Sequence, residues 1–403
     1  MTIYFSFLFH IYQPPTQIPP VIKQIVNESY RPIVEILKNH PQAKITLNIN
    51  GTLTEQLNDF GYNDLIENIA NLAKNGQVEF TGSAKFHPLL VLIPQPEIIR
   101  QIQLNNETNR YFFGKIYKPR GFFPPEMAIS EEVLSSVKEE GFEWIIMSGI
   151  ANTLPEFPTN FVSQHPNKLK LLFRDDYISV DCAFDKINNV DTFINRLKYK
   201  NTSEDYYILL AMDGETFGHH VKHAINNFLI PLFDALPHRQ DVKICTVSEI
   251  IDKFPLREKQ QPRDSSWSTM SYDLAQDIPY PLWFDPKNEI HLEQHRFLMF
   301  ALTLIHLSAK YYESMDNDKK NIFNNARTLF DRGIHSCQQW WASKRPFYSP
   351  DMILRGLNEI LMASVNARRS IPDSASMSDI KEAVELIIDG MLKAQNKIIL
   401  SLK

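Results

Sequence analysis

Residues 211–220 read Ala-Met-Asp-Gly-Glu-Thr-Phe-Gly-His-His and follow an apolar run at 206–210. Two carboxyls, Asp213 and Glu215, and two imidazoles, His219 and His220, leave the end of a strand-like segment. Gly214 and Gly218 shape the loop, and His223 follows where a helix is expected to begin. Such a loop supports two chemistries. One carboxyl could hold a proton for general acid and base work. Alternatively Asp213 could join His219 and His223, four residues apart on one helix face, around a metal ion. The loop by itself leaves both open.

Other strand-like segments end in similar fashion. His10, Tyr12 and Gln13 follow the first one, then Pro14-Pro15. Glu79 lies within the segment at 77–81, and Ser83, Lys85 and His87-Pro88 come after it. Phe123-Pro124-Pro125-Glu126 follows 119–123, and Arg174, Asp175 and Asp176 follow 169–173. Ionisable groups gathered at the carboxyl ends of several parallel strands mark the active face of a (β/α) barrel. Two prolines stiffen the approach to Glu126, although an acid at that place could equally serve a helix amino terminus. Asp213 taken alone could likewise be a helix cap.

The elements that must position these groups are legible from periodicity. Strands are expected over 3–9, 45–49, 77–81, 143–147, 169–173, 206–212 and 242–245, and helices over 62–75 and 130–140 between them. Strands interleaved with helices predict an α/β fold with a parallel sheet or barrel over residues 1–255. Residues 256–284 are polar and proline-bearing and read as a linker that contributes to the site. Residues 285–403 read as a helical bundle, with helices over 286–311, 321–341, 350–369 and 378–398. In the last, Ile380, Val384, Ile387 and Met391 form one apolar stripe, and Ser378 with Asp379 suits its amino terminus.

The 403 residues suffice for a large core. Their net charge of −5 gives no basic footprint for nucleic acid or an anionic membrane. Three scattered cysteines, Cys182, Cys245 and Cys337, make neither a disulfide framework nor a metal spacing, so a reducing, cytoplasmic setting is expected. The amino terminus lacks a basic region and a cleavage site and reads as the first strand. The run at 297–305 is too short to span a bilayer.

Taken in order, these segments resemble glycoside hydrolase family 57, the amylase, amylopullulanase, branching-enzyme and 4-α-glucanotransferase group. The resemblance rests on His10-Ile-Tyr-Gln13-Pro14, Gly76-Gln-Val-Glu79 with His87-Pro88, Gly121-Phe-Phe-Pro-Pro-Glu126-Met127, Met212-Asp213-Gly-Glu-Thr-Phe-Gly218-His219-His220, and a segment from Trp340-Trp341 to Asp351. Arg174-Asp175 also resembles a recurrent family segment. The resemblance implies a distorted (β/α)7 barrel with a helical C-terminal domain. It implies a retaining hydrolase of α-1,4-glucans, with Glu126 as nucleophile and Asp213 as general acid/base through a covalent glycosyl-enzyme intermediate. Transfer to a sugar acceptor, as in a 4-α-glucanotransferase or branching enzyme, would use the same pair. Substrate contacts are then expected from His10, Gln13, Glu79, His87, Arg174, His219, Trp341 and Asp351. Trp267 joins them on aromatic chemistry alone. No cofactor or metal is expected.

Retention requires two carboxyls about 5–5.5 Å apart, one ionised and one protonated. Like-charge pressure from Glu126 and Glu215 acts in the direction that keeps a proton on Asp213. Two other classes stand beside this reading. Asp213, His219 and His223 resemble the metal set of polysaccharide deacetylases, but the His10 loop has no acid before Glu28 to complete it. A non-catalytic glucan-binding relative is the third class, set against the presence of both Glu126 and Asp213.

Overall fold

The structure, a computed structural model, describes residues 1–345, 347–372 and 378–402. The chain forms two compact units. The first comprises residues 1–85 and 93–267, the second residues 86–92 and 268–403. The division thus falls at Trp267, beyond the expected boundary at 255, because much of the supposed linker is part of the first unit. Residues 256–259 form a strand, and Ile129 N donates to Ser265 O at 3.0 Å.

The first unit has ten strands: β1 Ile3–Ile11, β2 Ile45–Ile49, β3 Val78–Phe80, β4 Gly121–Phe122, β5 Trp144–Met147, β6 Val162–Gln164, β7 Lys170–Phe173, β8 Tyr206–Asp213, β9 Val242–Ile244 and β10 Leu256–Lys259. β3, β2, β1 and β8 are parallel neighbours in that order, as are β4, β5 and β7. Two seams join these sets into a ring. Gly82 N donates to Gly121 O at 2.8 Å between β3 and β4, and Asp175 N donates to Leu209 O at 2.7 Å between β7 and β8. The result is a distorted seven-stranded (β/α) barrel. β9 flanks the start of β1, and β6 runs antiparallel to β7 with β10 on its far side.

Strand side chains alternate between two faces. Phe5, Phe7 and Phe9 of β1, with Ile45, Leu47 and Ile49 of β2, pack outward on the surrounding helices. Leu8, Trp144, Ile146, Leu172, Tyr207, Leu209 and Ala211 fill a separate inner core. Continuing each inward row by two residues leads to His10 on β1, Ser148 after β5, Arg174 after β7 and Asp213 on β8. The polar groups at the strand ends therefore inherit the inward face of the barrel.

The second unit is helical, built on Glu289–Ala309, Asn317–Gly333, Cys337–Trp340, Pro350–Ser370 and Ser378–Ser401. Phe297, Ala301, Leu304, Phe330, Ile353, Ile360, Ala367 and Ile398 are buried in it. Asn288 and Asp316 cap the first two helices through their side chains. The helix expected over 321–341 is broken after Gly333. There the Gln338 side chain donates to the Gly333 carbonyl at 2.6 Å and takes the place of the next helical turn. The last helix follows its expected stripe, with Val384 and Met391 buried, while the side chains of Ser378 and Asp379 lie outside the described residues. No helix among the described residues is long and apolar enough to cross a membrane.

Burial holds His335 and His291 of this unit down to a pKa of about 4. Both are thus neutral in the fold, while an unfolded histidine titrates near about 6.5. Between those values the unfolded chain binds more protons, so stability is lost as pH falls. Melting temperature should decline from pH 7 to pH 4.5, and His335→Leu should decline less. An equal slope in that variant would show that His335 stays uncharged for no energetic consequence.

Candidate active site

The inward rows end in a connected set of polar groups. His10 Nδ1 donates to Asn48 Oδ1 at 2.6 Å, and Asn48 Nδ2 donates to Thr81 Oγ1 at 3.0 Å, linking β1, β2 and the end of β3. The His10 ring stacks on Phe123 with centroids 4.8 Å apart and planes 13° from parallel. Burial lowers the proton affinity of His10, and the Asp213 charge opposes that effect. Asp213 is its register partner across β1 and β8.

Glu126 lies in a strained turn after Pro124-Pro125. Its φ of 59° and the 49° of Met127 place two successive residues in the left-handed region. Trp267 holds this turn at two points. Its backbone N donates to the Glu126 carbonyl at 3.0 Å, and its indole Nε1 donates to Glu126 Oε2 at 3.0 Å. The same indole meets His10 edge-on at 5.9 Å, and the Arg174 guanidinium lies 5.6 Å from its ring centre. Arg174 is 4% exposed, and its Nε has no hydrogen-bond partner. Burial lowers its proton affinity, while Asp176, Asp213 and Asp175 act in the other direction. Glu126, Trp267, His10, Arg174 and Asp213 thus form one neighbourhood drawn from five places in the first unit.

After Asp213 the chain makes a short 3₁₀ turn, Gly214–Thr216. A side chain at Gly214 would meet Ile11 at 2.6 Å, so the loop can press against β1 only with glycine there. Glu215 turns inward and is 4% exposed. Its Oε1 accepts hydrogen bonds from the Tyr30 hydroxyl and from Gln13 Nε2, the latter at 3.1 Å. Burial first, and then the Asp213 charge, push the Glu215 pKa upward. Gly218 has φ 96°, and a Cβ there would lie 2.0 Å from the Glu28 carbonyl oxygen.

Residues 217–223 are not helical, which corrects the expectation that His219 and His223 share a helix face. The next regular helical residue is His-following Ala224. His219 Nδ1 pairs with Glu28 at 2.5 Å, and His223 Nε2 pairs with Asp185 at 2.9 Å. The two imidazoles are therefore committed to separate acids. His220 is exposed. Among the described residues no group of three or more histidines, cysteines and acids is arranged to hold a metal ion.

Other expected contacts lie elsewhere. Glu79 faces inward but one layer lower, where its carboxylate accepts from Thr46 Oγ1 at 2.9 Å and from Ser248 N at 3.1 Å. Ser248 opens the helix Val247–Lys253, so Glu79 serves a helix amino terminus inside the barrel. Gln13 reaches the neighbourhood through Glu215, to which its Nε2 donates at 3.1 Å. His87 belongs to the second unit, with Nδ1 3.0 Å from Ser336 Oγ. Trp341 packs edge-on against Trp340 at 4.9 Å in that unit, and Asp351 is exposed in the first turn of Pro350–Ser370. Asn48 and Tyr30 were not singled out in the sequence, and Phe123 was named there only as part of the approach to Glu126. Asn48 could have been found from the alternation of β2, since it lies between the outward-facing Leu47 and Ile49 and so faces inward.

Residues 8–261 match the sequence model of glycosyl hydrolase family 57. The chain belongs to that family. It is 26% identical over 267 residues to an α-amylase of Pyrococcus horikoshii, a match covering 62% of this chain and 40% of the relative. The chain thus spans well under half the length of that curated relative. The fold is similar to that of a branching enzyme of glycosyl hydrolase family 57 type from Pyrococcus horikoshii, with TM-score 0.72, 14% identity and coverage of 97% of this chain and 96% of the other. It is also similar to a 4-α-glucanotransferase from Thermococcus litoralis, with TM-score 0.67, 19% identity and coverage of 92% and 60%. At these identities the likeness to solved structures concerns the barrel and the helical region of the family 57 fold.

The Gly218 geometry gives a direct test of the loop. Gly218→Ala should lower unfolding stability by roughly 1–3 kcal/mol, from a left-handed backbone and a clash with main chain. Urea unfolding of the variant with an unchanged midpoint would show that the loop rearranges freely.

Proposed function

We propose that this family 57 chain is a retaining glycoside hydrolase acting on α-1,4-glucans such as starch, glycogen and maltooligosaccharides. Glu126 is the nucleophile and Asp213 the general acid/base. The observation that carries this reading is the strained Glu126 turn, whose carboxylate is held by the Trp267 indole N–H, in the same neighbourhood as Asp213. Strain of this kind, supported from outside, favours one presentation of a side chain.

The chemistry follows from the two carboxyls. Glu126 attacks the anomeric carbon and forms a glycosyl ester, while Asp213 passes its proton to the departing glycosidic oxygen. Asp213, now ionised, takes a proton from water as that water attacks the anomeric carbon and releases Glu126. Neither step calls for a metal. His10 and Arg174 line the same neighbourhood as polar contacts for the sugar or the carboxyls. The glucan class rests on what the relatives are called. Amylase-type hydrolysis is preferred. Transfer to a sugar hydroxyl shares the first step and differs only in the acceptor. A cytoplasmic setting belongs to the same reading and rests on the free state of Cys182, Cys245 and Cys337.

Asp213→Asn should reduce turnover of a pure maltooligosaccharide by about 10²–10⁴-fold, and Glu126→Gln should remove it. Product chromatography of the wild type then separates shorter sugars alone, which mean hydrolysis, from longer ones, which mean transfer. Full activity in Glu126→Gln would sink the assignment. Trp267→Phe keeps a ring in place and deletes the N–H, so turnover should fall about tenfold or more. A normal rate in that variant would show that Glu126 needs no such support.

A further inference from the structure

The solvent face of the helix Asp176–Ala183 carries two rings that the fold leaves uncovered. Tyr177 is 83% exposed and Phe184 is 73% exposed. Phe184 caps the helix, and its N donates to the Val180 carbonyl at 3.0 Å, so it completes the last turn. Seven residues are close to two full turns, which puts both rings on one face about 10 Å apart along the axis. Asp181 lies between them on that face. It is held by Arg196 from the helix Val190–Leu197 and by Lys186 at 3.4 Å. The opposite face, with Ile178, Ser179 and Cys182, is buried.

This helix is fastened to the strand that carries Asp213. Asp175 N donates to Leu209 O at 2.7 Å, and Ala211 N donates to Ser179 Oγ at 3.2 Å. Past the end of the helix, Asp185 pairs with His223 at 2.9 Å, in the segment that follows the Asp213 loop. The helix thus climbs alongside β8, from the level of Leu209 to the rim of the barrel. Phe184 stands at its upper end. Arg174, which precedes the helix in the chain, belongs to the neighbourhood of Trp267 and Glu126.

Area and chemistry together narrow what such a face can bind. Large aromatic side chains bury about 150–250 Å² each, so at these exposures the two rings offer roughly 300 Å². A stable protein interface takes about 800 Å² from each partner, and Asp181, Lys186 and Arg196 interrupt the patch with charge. A pyranose suits it better. The C–H face of a sugar lies flat on an aromatic ring, and the Asp181–Arg196 pair between the rings offers an acceptor and donors to sugar hydroxyls. We propose that Tyr177 and Phe184 form a second, non-catalytic site for a stretch of α-glucan chain, set beside the active rim. The ligand class rests on the glucan reading above. A polymer held at these rings presents its remaining length to Glu126 and Asp213 at a raised effective concentration. A short maltooligosaccharide reaches one site or the other and gains nothing.

Native electrophoresis through gels containing glycogen reads this site directly, with Glu126→Gln present throughout so that the glycogen is not consumed. Adding Tyr177→Ala and Phe184→Ala together should lessen the retardation and raise the dissociation constant for glycogen about threefold or more. Tyr177→Phe keeps the ring and should run as its parent does. With Glu126 restored, the double variant should show a higher KM for glycogen, the same kcat, and unchanged kinetics on a short maltooligosaccharide. Equal retardation and equal KM in the double variant overturn the proposal. So does equal retardation with a loss of self-association, which would give the rings to a second copy of the chain. If the double variant does not fold, the two single variants on the same gel decide the matter. Retardation that depends on the rings in a chain that never cleaves glycogen would sink the hydrolase reading and leave this site standing. Cleavage with no dependence on the rings would do the reverse.

Discussion

The pairing of β1 with β8 sets the frame from which the rest of the site is built. Residues 3–10 run in register with residues 206–213, so His10 and Asp213 end the longest shared ladder of the barrel side by side. Alternation makes this register unforgiving. A slip of β1 by one residue would turn His10 outward and bring Phe9 into the inner row, and a slip of β8 would do the same to Asp213 and Met212. The outward rings of Phe5, Phe7 and Phe9 form a tight aromatic cluster with Phe193 and Phe217, which resists that slip. The energetics of the outer core therefore determine which atoms the inner rim presents.

The inward rows change character with height. Leu8, Trp144, Ile146, Leu172 and Leu209 are apolar and close the middle of the barrel. Above them the same rows carry Asn48, Thr81, His10, Arg174 and Asp213. Polar groups there are tolerable because most are bonded to one another, as His10 is to Asn48 and Asn48 to Thr81. The Glu126 turn is the exception in backbone terms. Two residues at positive φ cost on the order of 1–3 kcal/mol each, and the paired hydrogen bonds from Trp267 help to offset that cost. Trp267 lies far along the chain from Glu126, so the strain is supported by a tertiary contact that local sequence does not encode.

Much of the barrel was legible because a strand end is announced by local chemistry. The runs at 3–9, 45–49, 143–147, 169–173 and 206–212 lie within or almost match β1, β2, β5, β7 and β8, since apolar runs bounded by Gly, Pro and Asn admit few other readings. β6 and β10 were missed. Leu256–Lys259 is exposed throughout and carries no inward face to give it a period. The helix face expected to carry His219 and His223 does not form, and the close approach of Gly218 to the Glu28 backbone takes the loop another way. Of the expected site residues, His10, Arg174 and Asp213 lie on inward rows at the rim, the place that alternation gave them. Glu79 lies one layer lower, since alternation gives a face and not a layer. His219 and His223 do not share a face, because spacing implies one only where a helix forms.

The balance of charge at the rim bears on the proposed chemistry. Asp213, Glu126, Glu215, Asp175 and Asp176 bring acids to this end of the first unit, while Arg174 is the one basic side chain in the neighbourhood described above. His10 adds little positive charge, since burial favours its neutral form. Within this acid excess, burial raises the proton affinity of Glu215, Asp175 and Asp176. The same excess favours positive charge developing nearby, and glycoside cleavage passes through an oxocarbenium-like state with such charge on the sugar. Arg174 limits the effect. Its partial pairing with Asp176, at 3.6 Å, leaves it able to offset the charge on Asp213 once the proton has gone. One buried arginine set among these acids therefore keeps the rim short of a fully acidic surface without making it basic.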